Sequence, residues 1–200
     1  MAAKVEIATE IGRGWELFKS NMGLLILVNL LAGVLALVTC GILAGPMMAG
    51  EVLIVQRLLK KDSAVPSAGD LFKGFEFFLD AFLFILVLGF ILGVVVVIPG
   101  VNIVVGYVSS VFMWTGVMFV ALGKMKFAEA LKKVGNEITT GPFWTLILAG
   151  VVANLIGGLG VLACGIGVLF TVPLATCIIV CAYDAAYGNA NADQPPVIES

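Results

Sequence analysis

Hydrophobic positions dominate three long stretches of the chain, and charged positions lie only outside them. No Asp, Glu, Lys or Arg occurs in residues 20–50, 81–123 or 138–183, which are 31, 43 and 46 residues long. A membrane-spanning helix needs about 20 consecutive apolar residues. The second and third stretches are therefore each about two spans long.

Helix-breaking residues divide these stretches into shorter segments. Pro99-Gly100 interrupts the second stretch, residues 164–167 interrupt the third, and Gly45-Pro46 interrupts the first, which continues past Glu51. The pattern predicts six spans with these limits: Met22–Leu43, Pro46–Leu59, Ala81–Ile98, Val101–Leu122, Phe143–Ala163 and Gly167–Tyr183. The second span is short and carries a carboxylate, so a re-entrant hairpin is the alternative there.

An amphipathic stretch precedes each pair of spans. Apolar residues recur at helical spacing over about 4–19, 68–80 and 126–138, and charged residues occupy the other face. Such helices bury one face at the lipid boundary and leave their charges in water. Ser67-Ala68-Gly69-Asp70 resembles the start of a helix.

The predicted fold is an all-α, polytopic membrane helical bundle of six spans. It consists of three hairpins, at about 22–60, 79–123 and 142–187, each preceded by an interfacial amphipathic helix. Residues 1–187 form one membrane domain. Residues 188–200 are polar, contain Pro195-Pro196 and are predicted to be a disordered tail.

Two parts of the chain repeat each other. "NLLAGVLALVTCGI" begins at Asn29 and "NLIGGLGVLACGI" begins at Asn154. Each segment ends the first helix of a hairpin and enters its turn, where Gly permits a sharp change of direction. The repeat therefore describes architecture, with three hairpins in the same orientation, and it names no reaction.

Composition and charge agree with a membrane protein. Apolar residues make up 61% of the chain and charged residues 12%, whereas soluble domains have nearer half and a quarter. All eleven Lys and Arg residues lie before the first hairpin, at its C-terminal end or between hairpins, and none lies at a hairpin tip. Because basic loops stay cytoplasmic, both termini are predicted to be cytoplasmic and the three turns external. No cleavable signal peptide is expected.

Several short motifs resemble those of a known family. "GPMMAG", "DLFKGF", "IPG", "EALKKVGNEITTGPFW" and "CGIGVLFTVP…AY" are similar to an uncharacterised prokaryotic family of six-span membrane proteins. That family itself resembles the membrane domain of some glycerophosphodiester phosphodiesterases. The resemblance covers most of residues 11–188 and implies the cytoplasmic (inner) membrane of a prokaryote. It supplies no catalytic residues, and no separate phosphodiesterase domain is expected from this sequence.

The sequence offers little for catalysis or cofactor binding. It contains no His, which excludes Ser-His and Cys-His catalysis and the usual nitrogen ligands of metals. "GGLG" at residues 157–160 lacks the Lys of a phosphate-binding loop. The net charge of −2, without a dominant basic face, gives no support for nucleic-acid binding. No catalytic residue, cofactor or metal site is therefore predicted.

Four polar residues at membrane depth form a candidate intramembrane polar site: Glu51, Asn29, Asn102 and Asn154. Charges inside spans are costly and usually functional, so Glu51 is either a proton or cation site or a carboxylate that faces a water-filled dent or pairs with a neighbour. The second interpretation is preferred because no other charge lies well inside a span, Arg57 being near the end of the second one. The Asn residues either line a substrate path or, as is commoner, join helices by hydrogen bonds.

Cysteines and glycines are interpreted as packing residues. Cys40 and Cys164 end equivalent helices, and disulfide, metal pair and free thiols all remain open for them, with free thiols preferred. Cys177 and Cys181 are one helical turn apart and are expected to pack as small apolar residues. Gly89 and Gly93, like Gly41 and Gly45, are interpreted first as close packing and second as a dimer face.

Two functions follow from these observations. The first is a non-enzymatic scaffold or accessory subunit whose partners are membrane lipid, a homo-oligomer or another membrane protein. The alternative is a small transporter or lipid-handling protein, with Glu51 and the Asn residues in a central cavity. A transporter usually has clustered polar groups at the midplane, and these spans are almost purely apolar, so the scaffold is preferred.

Overall fold

The computed structural model describes residues 7–61, 65–96, 102–137, 144, 146–153, 155 and 167–192, with the backbone alone at 88, 91–96, 102–108 and 189–192. The described residues are mostly helical and contain no β-strand, which confirms the all-α prediction for them. The helices are α1 (Ile7–Ser20), α2 (Met22–Val38), α3 (Ala44–Lys60), a 3₁₀ helix (Ala68–Phe77), α4 (Phe78–Val96), α5 (Asn102–Ala121), α6 (Phe127–Glu137) and α7 (Val168–Ala192). Residues 146–153 are also helical.

Helix α3 lies at the centre of the bundle. It packs against α2, the 3₁₀ helix, α4, α5 and α7. Its N-terminal half is built from small residues, including Gly45, Ala49 and Gly50, which let neighbouring backbones come close. The segment predicted as the second span is thus part of a continuous helix of 17 residues, about 25 Å long.

The turn between α2 and α3 has the geometry expected of a hairpin tip. Cys40 and Gly41 both have positive φ, at 51° and 87°. The Gly41 N–H donates to the Ala36 carbonyl at 2.7 Å, and the Thr39 hydroxyl donates to the Leu35 carbonyl at 2.8 Å. These bonds satisfy carbonyls at the end of α2. Gly41 therefore serves the turn through its backbone conformation, since no described atom lies within 4 Å of where its Cβ would stand.

Helix α1 meets α2 at 90°. Its buried stripe is Glu10, Gly14 and Phe18, whereas Trp15 is exposed. A Cβ on Gly14 would stand 2.8 Å from the Ile178 Cα, so glycine allows α1 to pack tightly on α7. The expectation that the charges of α1 all point into water is therefore wrong for Glu10. Arg13 compensates its burial, with Nη1 2.8 Å from Glu10 Oε2.

The second amphipathic stretch differs from its prediction over 68–80. It is a 3₁₀ helix up to Phe77, and α4 begins directly at Phe78. Side chains at i and i+3 eclipse each other in a 3₁₀ helix, and Phe72, Phe75 and Phe78 stack with ring centroids 6.1 and 6.0 Å apart. The predicted helix start is confirmed, because the Ser67 N–H donates to Asp70 Oδ2 at 2.7 Å.

The third amphipathic helix, α6, is joined to two neighbours by polar contacts. Its first residue, Phe127, donates its N–H to Asp80 Oδ1 on α4 at 2.8 Å. At its other end the Tyr187 hydroxyl of α7 donates to Glu137 Oε2 at 3.1 Å. The Lys133 ammonium lies 4.8 Å from the ring centroid of Phe119 on α5. Helix α6 is thus linked to α4 and α7 by hydrogen bonds and to α5 by a cation–π contact.

Some predicted limits and roles change in the structure. Helix α2 ends at Val38 rather than Leu43, because Cys40 and Gly41 turn the chain. Helix α7 continues to Ala192, past the predicted start of the tail at residue 188. No proline follows residue 188 until Pro195. The packing role predicted for Gly89 is wrong within the described part of the chain, where Gly89 is exposed and no atom approaches its Cβ position.

Other predictions fall outside the described residues. They concern the turn at Pro99-Gly100, Cys164, and the tail from residue 193 onward.

One helical segment of the described residues is long and apolar enough to cross a membrane, at Val168–Gly188. Helices α1 and α2 pass the same test when they are taken together as one broken span, and Ser109–Ala121 is a shorter apolar helix. Length and composition of this kind are weak evidence for a membrane protein, because the core helix of a soluble protein can share them.

Candidate functional site

A small cavity lies among α2, α3 and α7 at the centre of the bundle. Its volume is about 10 Å³, which is about the space that one water molecule requires. The residues around it are Leu25, Val28, Asn29, Glu51, Val55, Pro173 and Thr176. Apolar side chains therefore surround three polar ones.

Glu51 is the ionisable group at this cavity, and it is only 8% exposed. Among the residues that the structure describes, none forms a hydrogen bond or an ion pair with its carboxylate. A buried charge without a partner is strongly unfavourable. The carboxylate consequently requires either a proton or a ligand that lies in the cavity.

The structure brings together two of the four residues predicted from the sequence. Asn29 on α2 and Glu51 on α3 line the same cavity, and the turn at Cys40 and Gly41 makes α2 and α3 neighbours. Asn102 begins α5, and its side chain lies outside the described part of the structure. Asn154 is also outside the described residues.

Thr176 and Pro173 on α7 complete the cavity and were not predicted from the sequence. Thr176 is buried, and its hydroxyl donates to the Val172 carbonyl at 3.1 Å. Pro173 lies inside α7 and has no N–H to donate to the carbonyl of Leu169. A proline in the middle of an apolar span is the signal that could have pointed to this part of α7, since it frees a backbone acceptor there.

A larger groove lies where α1 ends and α2 begins, beside the end of α3. Its volume is about 530 Å³. Its polar residues are Arg13, Glu16, Ser20, Asn21 and Lys61, and its apolar residues are Leu17, Leu58 and Leu59. The groove therefore has two cationic side chains and one carboxylate beside an apolar wall.

Arg13 borders this groove and also joins α1 to α7. Its Nη1 lies 2.8 Å from Glu10 Oε2, and its Nη2 lies 3.8 Å from Asp184 Oδ2. Burial raises the pKa of Glu10, and the neighbouring Arg13 guanidinium opposes that rise.

Asp70 connects the 3₁₀ helix to α3 by ion pairs. Its Oδ1 lies 2.8 Å from Lys73 Nζ and 3.2 Å from Arg57 Nη1, and its Oδ2 accepts the Ser67 N–H. The hydrogen bond from Lys73, followed by the one from Ser67, lowers the pKa of Asp70 from 3.8 to about 2. The carboxylate is thus held ionised beside the two cations.

Cys177 and Cys181 are buried free thiols, and Cys40 is an exposed one. Within the described ranges no group of three or more Cys, Asp or Glu side chains is placed to hold a metal ion. Cys177 and Cys181 pack as buried side chains on α7. Cys40 lies in the turn between α2 and α3.

Comparisons with family models, curated proteins and solved structures found no match to this chain. The function is therefore inferred from the arrangement of the chain's own residues.

Proposed function

We propose that the protein is a six-span integral membrane protein that acts as a non-enzymatic scaffold or accessory subunit. It resides in the cytoplasmic membrane of a prokaryote with both termini in the cytoplasm, as the charge pattern and the resemblance to the six-span family imply. The observation that carries the proposal is the apolar outer surface of the described bundle, where large hydrophobic side chains are exposed on several helices.

The exposed side chains are numerous and large. Leu37 and Val38 on α2 are 81% and 74% exposed, and Phe90 on α4 is 76% exposed. Exposure of apolar side chains to water costs about 25 cal/mol for each Å². Lipid chains remove that cost.

The positions of the charged residues support the same proposal. The described ion pairs involve the interfacial elements and the adjoining helix ends, as with Arg13 on α1 and Arg57 near the end of α3. The perpendicular packing of α1 and α2 suits an interfacial helix followed by a span. The exposed rings of Phe72 and Phe75 suit the apolar face of a second interfacial helix.

Membrane lipid is the first proposed partner. The groove beside Arg13 and Lys61 combines cations with an apolar wall, which matches a phospholipid phosphate and the first part of its acyl chains.

A homo-oligomer or a membrane-protein partner is the second proposed partner, because the exposed Gly89 on α4 offers a place for close helix contact.

The alternative function, a small transporter or lipid-handling protein, depends on the cavity beside Glu51. A volume of about 10 Å³ holds one water or one ion, and it leaves no room for an organic solute. The scaffold is therefore the preferred function.

Purification in a mild detergent tests the proposal. We expect a stoichiometric protein partner, which is either a second copy or another membrane protein. Gly89→Leu should weaken a contact made through α4, whereas Gly33→Leu, at another exposed helical glycine, should not. Recovery of only the monomer, together with a solute that it carries across vesicle membranes, would favour the transporter instead.

A further inference from the structure

Glu51 and Asn29 point to a ligand because both lie at the central cavity without a protein partner. Among the described residues, neither side chain forms a hydrogen bond or an ion pair. Buried polar groups in native proteins are nearly always satisfied, so an exception requires an explanation. Glu51 is such a buried group, and the half-buried Asn29 lies at the same cavity, so a small polar ligand between them would satisfy both.

The third polar residue at the cavity can also supply an oxygen atom. The Thr176 hydroxyl donates its hydrogen to the Val172 carbonyl at 3.1 Å, so its remaining lone pairs are available to a cation. Pro173, one turn earlier on α7, leaves a backbone carbonyl without its usual donor. The available atoms are therefore carboxylate, amide and hydroxyl oxygens, which are the ligands that hard cations prefer.

We propose that this cavity binds one small monovalent cation, Na⁺, through Glu51, Asn29 and Thr176. A single positive charge neutralises the single carboxylate, since no other charged residue borders the cavity. Its volume of about 10 Å³ accommodates one particle of the size of a water molecule. Mg²⁺ fits less well because it keeps several of its own waters, for which there is no space.

The bound cation would join three helices. Asn29 belongs to α2, Glu51 to the central helix α3, and Thr176 to α7. The inference does not depend on the proposed scaffold function, because the ion would stabilise the bundle in a scaffold or in a transporter.

Thermal unfolding of the purified full chain in detergent tests the proposal. Na⁺ replaces choline at constant ionic strength, from about 1 to about 100 mM. We expect a saturable rise of about 5 °C in the unfolding midpoint, because a ligand that binds only the folded state stabilises it. Glu51→Gln should abolish this rise. An equal midpoint in choline and in Na⁺, or a full Na⁺ response in Glu51→Gln, would overturn the proposal.

A second variant keeps the test decisive if Glu51→Gln does not fold. Thr176→Val preserves shape and removes one ligand oxygen, so the Na⁺ concentration for half the effect should rise about tenfold. Glu76→Gln, at an exposed carboxylate on the 3₁₀ helix, should respond like the unaltered protein. An unchanged Na⁺ response in Thr176→Val would contradict the proposed coordination.

Discussion

At the residue scale, Asp70 joins two elements through one carboxylate. It accepts the N–H of Ser67 at the start of the 3₁₀ helix and lies close to Lys73 on that helix and Arg57 on α3. Each of these contacts favours the ionised form. The stability of the contact between α3 and the 3₁₀ helix should therefore depend on pH.

We expect this junction to weaken in acid. The pKa of Asp70 is lowered from 3.8 to about 2, so its contribution to the free energy of unfolding is complete above about pH 4. That contribution is lost as the pH falls through about 2. Unfolding midpoints measured across this range should show less pH dependence in Asp70→Asn than in the unaltered protein.

Glu76→Gln is the matched control, because Glu76 is an exposed carboxylate on the same helix. It should retain the pH dependence of the unaltered protein. If Asp70→Asn and the unaltered protein lost stability in parallel between pH 4 and pH 2, the assigned role of Asp70 would be wrong.

Sequence alone identified only part of the cavity. Glu51 and Asn29 are conspicuous because a polar residue in an apolar stretch is costly. Thr176 is not conspicuous, since its hydroxyl can bond to the backbone of its own helix, as it does to Val172. Its place beside Glu51 depends on the packing of α7 against α3, which no local pattern encodes.

At the element scale, α3 and the 3₁₀ helix cross with their backbones in contact. A Cβ on Gly50 would stand 2.9 Å from the carbonyl carbon of Leu71, and one on Gly74 would stand 2.6 Å from the Gly50 nitrogen. Backbone atoms cannot move aside as the end of a side chain can. Glycine at both positions therefore permits this crossing.

Gly50→Ala should strongly destabilise the protein. The added methyl group would collide with the Leu71 carbonyl, and overpacking of this kind costs about 1–3 kcal/mol or more. We expect the unfolding midpoint in detergent to fall by about 5 °C or more.

Gly33→Ala provides the control, because Gly33 lies in α2, is exposed and has no described atom near its Cβ position. Alanine is preferred over glycine in a helix by about 1 kcal/mol, so this variant should be equally or more stable. Equal midpoints for Gly50→Ala and Gly33→Ala would show that the helices do not cross as described.

Element type was predicted less well than element position. The sequence indicated a helix near residues 68–80 but not its 3₁₀ form, in which Phe72, Phe75 and Phe78 stack at a spacing of three. That spacing also suits one face of an α-helix. The local pattern therefore does not distinguish the two forms, and the contact of Gly74 with α3 is a tertiary one that this pattern does not show.

At the scale of the whole molecule, helix content follows from the sequence and helix arrangement does not. Long apolar stretches with Gly-Pro breaks predict helices, because the backbone must satisfy its own hydrogen bonds. The central position of α3 results from contacts with five other elements. Its small residues at Gly45, Ala49 and Gly50 are the local sign of such packing, although they do not specify the neighbours.

The central claim is that the chain crosses the membrane six times with both termini in the cytoplasm. Asn102 then lies near an external turn, and Lys126 lies in a cytoplasmic connection before α6. Compartment-sensitive reporters fused after these two residues test the claim most directly. We predict an external signal at Asn102 and a cytoplasmic signal at Lys126, whereas signals from the same compartment would contradict the six-span topology.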